Sequence, residues 1–392
     1  MLLVPGQLST PRSIKSVQLY RESFEGNLPI IELGSTQKLI LEFDELASVS
    51  GQYRISFSHH NKNWQESGLP DPWVFDGINE LFVRGGTPNQ QTKPDYFHYK
   101  TEFPNRNLNF TVSGHYLLHV FDYQSGTELF SLPFFVTEAE GNLIVRSETL
   151  FNQGKDGSAL DQLFGKYFYP EFIEFPRFDL SYSFVQNRFW RQAKNAAQIS
   201  FTDDGETEFH LSRNNSFPAN FDFSVLDLSQ LTLQNPQIFN FEPARTPQRV
   251  TLKDDFLNFL ADPRPNSISE LGFPKKVPVA SYNEVIFRLN TGNQLNQKES
   301  VFLIGDFNQW TISERNELQF NPEMGVYQTS SLIKEGIYSY KYVTLENGEI
   351  NDLRLSDSLT KRDQEYIGFV YYRDPQNQYD RLLNTKQVNA RY

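Results

Sequence analysis

Aromatic residues dominate the apolar content of this chain, and they occur in short runs. The 392 residues include 35 Phe and 19 Tyr, and aromatic residues make up 15% of the sequence. Runs such as IKSVQLY, YRISFSHH and HYLLHVFDY have the length of strands and are alternating or continuously apolar. Aromatic rings pack well on the half-buried surface of a pleated sheet. The pattern therefore predicts many short β-strands and few, short helices.

Turn-forming segments separate these runs at short intervals. Segments such as SVSG, ESGLPDP and YQSGTE lie between them, and no long helical pattern intervenes. Short strands with frequent turns are typical of antiparallel sandwiches. We therefore predict an all-β fold of three consecutive β-sandwich domains, immunoglobulin-like or E-set-like in type. The predicted domains are residues 1–138, 139–275 and 276–392, a division that agrees with ordinary domain sizes.

The middle of the chain is less regular than its two ends. The run FPRFDLSYSFVQNRFWRQA alternates so that one face of a predicted strand carries Phe178, Leu180, Tyr182 and Phe184. The segment AAQISFTDDGETEFHLSR predicts a hairpin with Asp-Asp-Gly at its turn. LKDDFLNFLADP fits either a short helix or a buried strand. Residues 262–278, DPRPNSISELGFPKKVP, are rich in breakers and predict a linker or a long crossing loop.

The charge of the chain argues against a nucleic-acid partner. The formal net charge is −12 and the sequence pI is about 5.1. Binding of phosphate backbones needs clustered Lys and Arg, and no long basic run occurs. The most basic segment, NRFWRQAK (187–194), interleaves three cations with Phe189 and Trp190, a pattern that can stack bases. We interpret it instead as a strand with one packed and one charged face.

The histidines form no convincing metal site, and cysteine is absent. His59 and His60 are adjacent on a predicted strand, so their side chains point to opposite faces. His115 and His119 have the four-residue spacing of a zinc pair on a helix. On a strand this spacing separates them by roughly 13 Å. We therefore predict no metal and no other cofactor, and the lack of Cys excludes disulfides and thiolate ligands.

The acidic residues give no sign of catalysis. The pairs Asp44-Glu45, Asp203-Asp204 and Asp254-Asp255 lie in predicted turns, where such residues are common. A glycosidase needs two carboxyl groups across one cleft, and no such pairing can be read from the sequence. Motifs of the G-x-S-x-G, P-loop and G-x-G-x-x-G types are absent. We predict no catalytic residue and no enzymatic activity.

The segment VFLIGDFNQW (301–310) raises the alternative of carbohydrate binding. The C-terminal domain resembles glycogen-binding modules of immunoglobulin-like type, in which a Trp after such a turn stacks on sugar, so Trp310 is the candidate contact. Those modules generally have a second aromatic residue in the following hairpin. Here the hairpin ENGEINDLRL has Ile350 near that position and a predicted turn at Asn347 and Gly348. We expect Trp310 to pack within its own fold.

Eight segments, taken in order along nearly the whole chain, match the pattern of one protein family. They are PIIELGSTQKLILEFDEL (29–46), YRISFSHHNKNWQESGL (53–69), YFHYKTEFPN (96–105), SGHYLL (113–118), FVQNRFWRQA (184–193), GDFNQW (305–310), LIKEGIYSYKYV (332–343) and FVYYRDPQNQYDRLLN (369–384). Together they resemble the type IX secretion system plug proteins of Bacteroidota. The chain departs from the family at His60 and Asn63, where Cys and Asp are common, and at NNSFPANFDF (214–223).

The resemblance implies a non-enzymatic plug. Similar proteins bind the periplasmic side of the large outer-membrane translocon barrel and close its pore when no cargo is engaged; other secretion components are further candidate partners. It also implies a periplasmic protein without a membrane span. The N-terminus has only four apolar residues before Pro5, too few for a signal peptide, so we expect a mature or trimmed chain. The partner interface stays unassigned. The alternative is a carbohydrate-binding module or an accessory protein of polysaccharide use, and a third interpretation is an extracellular adhesion or scaffold protein.

Overall fold

Strands dominate the part of the chain that the structure describes. The computed structural model describes residues 3–89, 93–154, 157–201, 205–256, 280–292, 295, 299–346, 349–351, 354–355 and 362–390. Within these ranges the α-helices are α1 (Asp71–Val74) and α2 (Pro176–Asp179), each of one turn. The predicted all-β class is confirmed. No helix in this part of the chain combines the length and the apolar character needed to cross a membrane.

The first sandwich contains eleven strands in two main sheets. The strands are β1 (Ile14–Arg21), β2 (Ile30–Glu32), β3 (Leu39–Glu45), β4 (Gln52–His60), β5 (Phe75–Gly77), β6 (Leu81–Arg84), β7 (Thr87–Asn89), β8 (Tyr96–Phe103), β9 (Leu108–Phe110), β10 (Gly114–Asp122) and β11 (Glu128–Thr137). One sheet has the order β1-β3-β8-β7 and the other β2-β11-β10-β4-β6, while β5 pairs with β9. Alternate residues of both sheets, including Phe43, Phe57 and Phe134, form one aromatic core.

The middle sandwich is built from two separate parts of the chain. Its strands are β12 (Asn142–Leu150), β13 (Leu160–Phe168), β14 (Leu180–Gln186), β15 (Lys194–Asn195), β16 (Gln198–Ser200), β17 (Glu206–His210) and β18 (Phe217–Pro218), joined by the C-terminal pair formed by Gln364–Arg373 and Asp380–Ala390. One sheet has the order β12-β13-β17-β16, with β18 on β13. In the other, β15 and β14 are followed by the C-terminal pair. Tyr182 and Phe209 stack in its core at 3.9 Å.

The third sandwich contains the remaining strands. They are β19 (Ser224–Asp227), β20 (Ile238–Glu242), β21 (Arg249–Leu252), β22 (Asp255–Phe256), β23 (Tyr282–Asn290), β24 (Ser300–Gly305), β25 (Gln319–Asn321), β26 (Val326–Lys334), β27 (Ile337–Glu346) and β28 (Glu349–Asn351). The sheets have the orders β19-β27-β24, with β28 on β27, and β20-β21-β23-β26-β25, with β22 on β23. The C-terminal pair of the middle sandwich follows as β29 (Gln364–Arg373) and β30 (Asp380–Ala390).

The sheets do not follow the predicted division at residues 275 and 276. Strand β14 pairs with β29 along its whole length, so the predicted middle domain is completed by the end of the chain. Strands β19 and β21, which lie before residue 275, pair with β27 and β23 of the third sandwich. The third sandwich is therefore inserted into the middle one, and the two are not consecutive. Alternation in the sequence reports which face of a strand is buried but not which strand lies beside it.

The strand pairing also shows where other predicted elements lie. Strands β16 and β17 form the predicted hairpin, and β27 and β28 form another. Residues 203 and 204, residues 347 and 348, and the predicted linker 262–278 lie outside the described residues. The ambiguous segment LKDDFLNFLADP contributes β22, a strand, and its remainder also lies outside them.

Apolar clusters join the three sandwiches to one another. Between the first and middle sandwiches, Trp64 and Phe135 pack against residues that include Phe369 and Tyr371 of β29. Between the middle and third sandwiches, Phe189 belongs to a second cluster with residues of β24 and β27. Burial of large aromatic side chains is a major source of stability. The three sandwiches are therefore packed as one body.

Candidate functional site

His59 and His60 are structural hydrogen-bonding residues. His59 packs against Tyr116 of the first core, and its Nε2 donates to the carbonyl oxygen of Ser113 at 3.0 Å. His60 lies beside Trp64, and its Nδ1 donates to the Trp64 carbonyl oxygen at 3.0 Å. Burial lowers the pKa of His59 to about 4 and holds the pKa of His60 below its usual value. Both imidazoles are therefore neutral at pH 7.

His115 and His119 have separate partners. His115 Nε2 is 3.0 Å from the hydroxyl oxygen of Tyr371 in the middle sandwich, and its Nδ1 has no hydrogen-bond partner among the described residues. Burial, with a smaller contribution from the neighbouring histidines, lowers the pKa of His115 well below its usual value. His119 Nδ1 is 2.7 Å from Glu128 Oε1. Within the described ranges no three His, Asp or Glu side chains are grouped to hold a metal ion.

Asp44 joins the first sandwich to the third. Its carboxylate is fully buried; Oδ1 accepts from His98 Nδ1 at 2.8 Å, and Oδ2 accepts from Tyr282 OH at 2.7 Å and Lys334 Nζ at 2.8 Å. Burial alone would raise the pKa of Asp44. The hydrogen bond from His98, the charge and hydrogen bond of Lys334 and the hydrogen bond from Tyr282 outweigh burial and lower that pKa. Through these contacts Asp44 links the first sandwich to the third.

Asp254 and Asp255 also have structural partners. Asp254 forms an ion pair with Arg288 at 2.8 Å. Asp255 Oδ2 accepts hydrogen bonds from Tyr340 OH at 2.7 Å and from Tyr342 OH at 2.8 Å. These contacts hold β22 against the rest of the third sandwich, so both carboxylates have a structural role.

The basic segment 187–194 lies where the three sandwiches meet, and it is not the single strand that we predicted. Strand β14 ends at Gln186, and a 3-10 turn (Trp190–Gln192) follows. Arg188 pairs with the buried Glu365 at 2.9 Å and donates to the carbonyl oxygen of Gly26 in the first sandwich at 2.8 Å. Trp190 packs on Phe135. Arg188 and the two aromatic rings of this segment are thus used in contacts between sandwiches, whereas Lys194 donates to the Ser216 carbonyl oxygen within the middle sandwich.

Trp310 is packed between the middle and third sandwiches. Its side chain is only 9% exposed, and its ring contacts Phe189 at 5.7 Å and Phe223 at 4.9 Å. The indole Nε1 donates to Asp306 Oδ1 at 3.0 Å. Ile350, which stands near the position of the expected second aromatic, is a partly buried neighbour of the same cluster. Stacking on a sugar requires an accessible ring face, and the low exposure of Trp310 agrees with the expectation that it packs within its own fold.

An aromatic loop on the middle sandwich is the best candidate for contact with a partner. We call residues 169–179, between β13 and β14, the aromatic loop. Phe172, Phe175 and Phe178 are 44%, 61% and 84% exposed. Three exposed rings within seven residues form an apolar patch of the kind that marks an interaction surface. Acidic residues alternate with the rings in the sequence EFIEFPRFD.

The aromatic loop is anchored to the body below it. Ile173 is buried in the middle core, and Phe172 packs on Tyr372 at 5.8 Å and under the Arg381 guanidinium at 5.1 Å. Arg381 in turn pairs with Glu138 at 2.8 Å. The loop therefore presents Phe175 and Phe178 from a fixed base, which lowers the entropy that binding would cost.

Our sequence prediction missed this loop. Alternation placed Phe178 on the buried face together with Leu180 and Tyr182. In the structure the strand begins at Leu180, and Phe178 lies in α2. Pro176, at the start of α2, is the available signal, because proline favours the first turn of a helix and disfavours a strand interior.

The fold defines a class of protein, an all-β body of packed sandwiches. Residues 14–138 match the model of the type 9 secretion system plug protein first domain. This range covers β1–β11, the whole first sandwich. The first sandwich thus matches the first domain of the type IX secretion plug family, which supports the predicted resemblance. The match does not extend to the likeness between the C-terminal domain and glycogen-binding modules, which stays a prediction.

Solved structures support the overall fold. A crystal structure of a hypothetical protein from Parabacteroides merdae ATCC 43184 matches 99% of this chain and 100% of that chain, with a TM-score of 0.87 and 22% identity. At this identity the likeness shows the fold alone.

Two further matches carry no argument because of their low TM-scores. The alkylpurine DNA glycosylase AlkC of Pseudomonas fluorescens, bound to DNA, is 12% identical over 32% of this chain and 30% of that chain, with a TM-score of 0.19. The C-terminal domain of the Streptococcus agalactiae AgI/II polypeptide BspA is 10% identical over 95% and 99%, with a TM-score of 0.18. Comparison with curated proteins gave no match.

Proposed function

We propose that this chain is a plug of the type IX secretion translocon. It binds the periplasmic side of the large outer-membrane barrel and closes the pore when no cargo is engaged. The observation that carries this proposal is the match of residues 14–138 to the plug first domain. That family and the all-β fold point to a structural, non-catalytic protein. The proposed location is the periplasm, in association with the outer-membrane complex.

The packing of the chain supports a blocking role. A plug acts by its shape, so its parts must keep their relative positions when the partner or its cargo presses on them. Each sandwich has its own core, and two apolar clusters join neighbouring sandwiches. Polar contacts add to these junctions: Glu138 pairs with Arg381 between the first and middle sandwiches, and Asp44 pairs with Lys334 between the first and third. Close-packed interiors of this kind resist deformation.

The aromatic loop is the surface that we expect to contact the barrel. Phe175 and Phe178 supply apolar area at the tip of an anchored loop. Buried aromatic anchors dominate the energy of many interfaces. The proposal assigns the loop to the partner interface that the sequence left open.

Co-purification with the barrel tests both parts of the proposal. The translocon barrel is purified from membranes of the native organism, and the amount of this chain in the preparation is measured by mass spectrometry. We expect the wild-type chain to be present. The variant F175S/F178S should be reduced about tenfold or more, because each aromatic anchor contributes on the order of 2 kcal/mol.

A matched variant distinguishes the two parts. F239S/F320S removes two Phe side chains of similar exposure, 61% and 53%, from the third sandwich, and its co-purification should equal that of the wild type. Absence of the wild-type chain from the barrel preparation would overturn the plug function. Equal recovery of F175S/F178S and wild type would overturn only the loop assignment.

Pore closure needs a separate measurement. Cells that lack this chain should admit a large antibiotic that the outer membrane normally excludes, and complementation should restore exclusion. If permeability is unchanged while the chain still co-purifies with the barrel, the chain binds without closing the pore, and that part of the proposal fails.

A further inference from the structure

A polar cleft lies between the first and third sandwiches. Its volume is about 1140 Å³, larger than the roughly 300–1,000 Å³ typical of small-molecule sites. Hydroxyl and amide side chains line it, among them Thr10, Asn308, Thr311 and Ser331. A smaller cavity of about 230 Å³, lined mainly by apolar residues, shares part of the same wall. The size and polarity of the cleft favour a segment of a polymer over a small molecule.

Three cations line the cleft without a carboxylate partner. Arg12, Lys15 and Arg315 all face it, and none forms an ion pair within the described part of the chain. Burial and the positive charges of Arg315 and Arg12 lower the pKa of Lys15, in that order of size. The cations are therefore close enough to repel one another. Such a cluster in a chain of net charge −12 indicates a place for an anion.

The acidic residues of the cleft do not neutralise these cations. Asp306 is committed to its own turn, where it accepts hydrogen bonds from Trp310 Nε1 at 3.0 Å and from the Ser339 backbone N–H at 2.7 Å. Glu314 also lines the cleft, with an exposed side chain, and it forms no ion pair with the three cations in the described part of the chain. The charge available to a ligand inside the cleft is thus positive.

One wall of the cleft is a free sheet edge. Strand β1 is the terminal strand of its sheet, and residues 14–20 line the cleft or the adjoining cavity. Its outer edge pairs with no other described strand. The opposite wall includes residues 330–334 of β26, beyond the last pairing of β26 with β25 at Gln328. Unpaired backbone N–H and C=O groups along an edge are satisfied by an added extended chain.

A further donor lies in the wall that the cleft shares with the smaller cavity. Gln309 lines both the cleft and the smaller cavity, and its Nε2 has no hydrogen-bond partner among the described residues. A buried amide nitrogen without an acceptor is unusual in a folded protein. A carbonyl or carboxylate oxygen of a bound segment would satisfy it.

We propose that this cleft binds an extended acidic segment of a partner protein, with the backbone of that segment on the free edge of β1 and its carboxylates on Arg12, Lys15 and Arg315. The edge supplies affinity without sequence preference, and the three cations select acidic side chains. This inference goes beyond the plug function and does not depend on which partner occupies the pore.

A synthetic peptide tests the proposal on the full chain. The probe is a fluorescein-labelled peptide of alternating Glu and Val with the length of β1, eight residues. Its binding is followed by fluorescence anisotropy at low and at physiological salt, and a Lys-Val peptide of the same length is the comparison. We expect saturable binding of the Glu-Val peptide that weakens with salt, and no binding of the Lys-Val peptide.

Variants locate the binding. R12A/K15A/R315A should raise the Kd for the Glu-Val peptide about tenfold or more, because charge-assisted hydrogen bonds to its carboxylates are lost. R106A/R213A/K386A removes three exposed cations elsewhere and should leave the Kd unchanged. R315E, at an exposed position, is the second variant if the triple variant does not fold. Hydrogen exchange of the backbone amides in residues 15–20 should slow when the peptide binds.

Each contrary outcome overturns the proposal. These outcomes are failure of the wild type to bind the Glu-Val peptide, equal binding of the Lys-Val peptide, and an unchanged Kd in both cleft variants. Full displacement of the peptide by inorganic phosphate at low millimolar concentration would identify a small-anion site instead. Preferred binding of a single-stranded oligonucleotide would identify a nucleic-acid site.

Discussion

Replacing Asp44 by asparagine tests whether one buried carboxylate holds the first sandwich to the third. The substitution keeps the size of the side chain but removes its charge. Lys334 Nζ, which lies 2.8 Å from the carboxylate, then has no anion. Breaking a buried ion pair in this way costs about 3–5 kcal/mol. Because the Lys334 side chain is 19% exposed, we take the lower end and expect the free energy of unfolding to fall by about 3 kcal/mol.

The pH dependence of stability should change as well. The pKa of Asp44 is lower in the folded chain than in the unfolded chain, where it is about 3.9. The stabilisation from this carboxylate is therefore present above about pH 4 and is lost as the pH falls through the folded-state pKa. D44N lacks this contribution, so its stability should decline less steeply than that of the wild type below pH 4.

Urea unfolding followed by circular dichroism measures the change, and a double variant isolates its cause. D44N/K334M removes both charges and should be more stable than D44N alone, because no unpaired cation remains. Hydrogen exchange on β3 and β23 should report the loosened junction. Asp76, exposed on β5, provides the control: D76N should change stability by no more than about 0.5 kcal/mol. A loss below about 1 kcal/mol for D44N, or a double variant no more stable than D44N, would refute the reasoning.

Two further substitutions test other junctions. W310A should lower the free energy of unfolding by about 3–5 kcal/mol, because Trp310 is packed on Phe189 and Phe223. W73A, which removes a side chain that is 57% exposed, is the control and should have little effect. Similar urea midpoints for the two variants would contradict the packing argument. His115 has a folded-state pKa well below its unfolded value of about 6.5, so stability should fall as the pH drops below about 6.5, because the unfolded chain then takes up a proton that the folded chain does not. H115Q should lose correspondingly less stability between pH 7.5 and pH 5 in urea unfolding, and an equal loss in both proteins would exclude His115 as a source of acid sensitivity.

The fold class could be read from the sequence because it depends on local pattern. Alternating aromatic residues report a buried face within one strand, and turn residues mark its ends. Leu180, Tyr182 and Phe184 are core residues of β14, as alternation predicts. The pairing of that strand with β29 has no local signal, since one free edge has the same sequence requirements as another.

The candidate sites could not be read in the same way. Asp44 looks like a turn residue next to Glu45, yet its partner Lys334 is 290 residues away in the chain. Arg12 and Lys15 look like ordinary surface cations until Arg315 is brought to the same cleft. Such contacts are set by how the sandwiches pack on one another, which hydrophobic periodicity does not encode.

The pairing of β14 with β29 imposes an order on the making of this molecule. As the chain is synthesised, the first sandwich can fold early. The sheet that contains β14 cannot be completed until β29 has been made, since Gln186 pairs with Tyr366, 180 residues later in the chain. Until then β14 carries an open edge, which is a template for pairing with the wrong chain. The C-terminal strands β29 and β30 thus complete the middle sandwich, and a chain that ended before them would leave its second sheet incomplete.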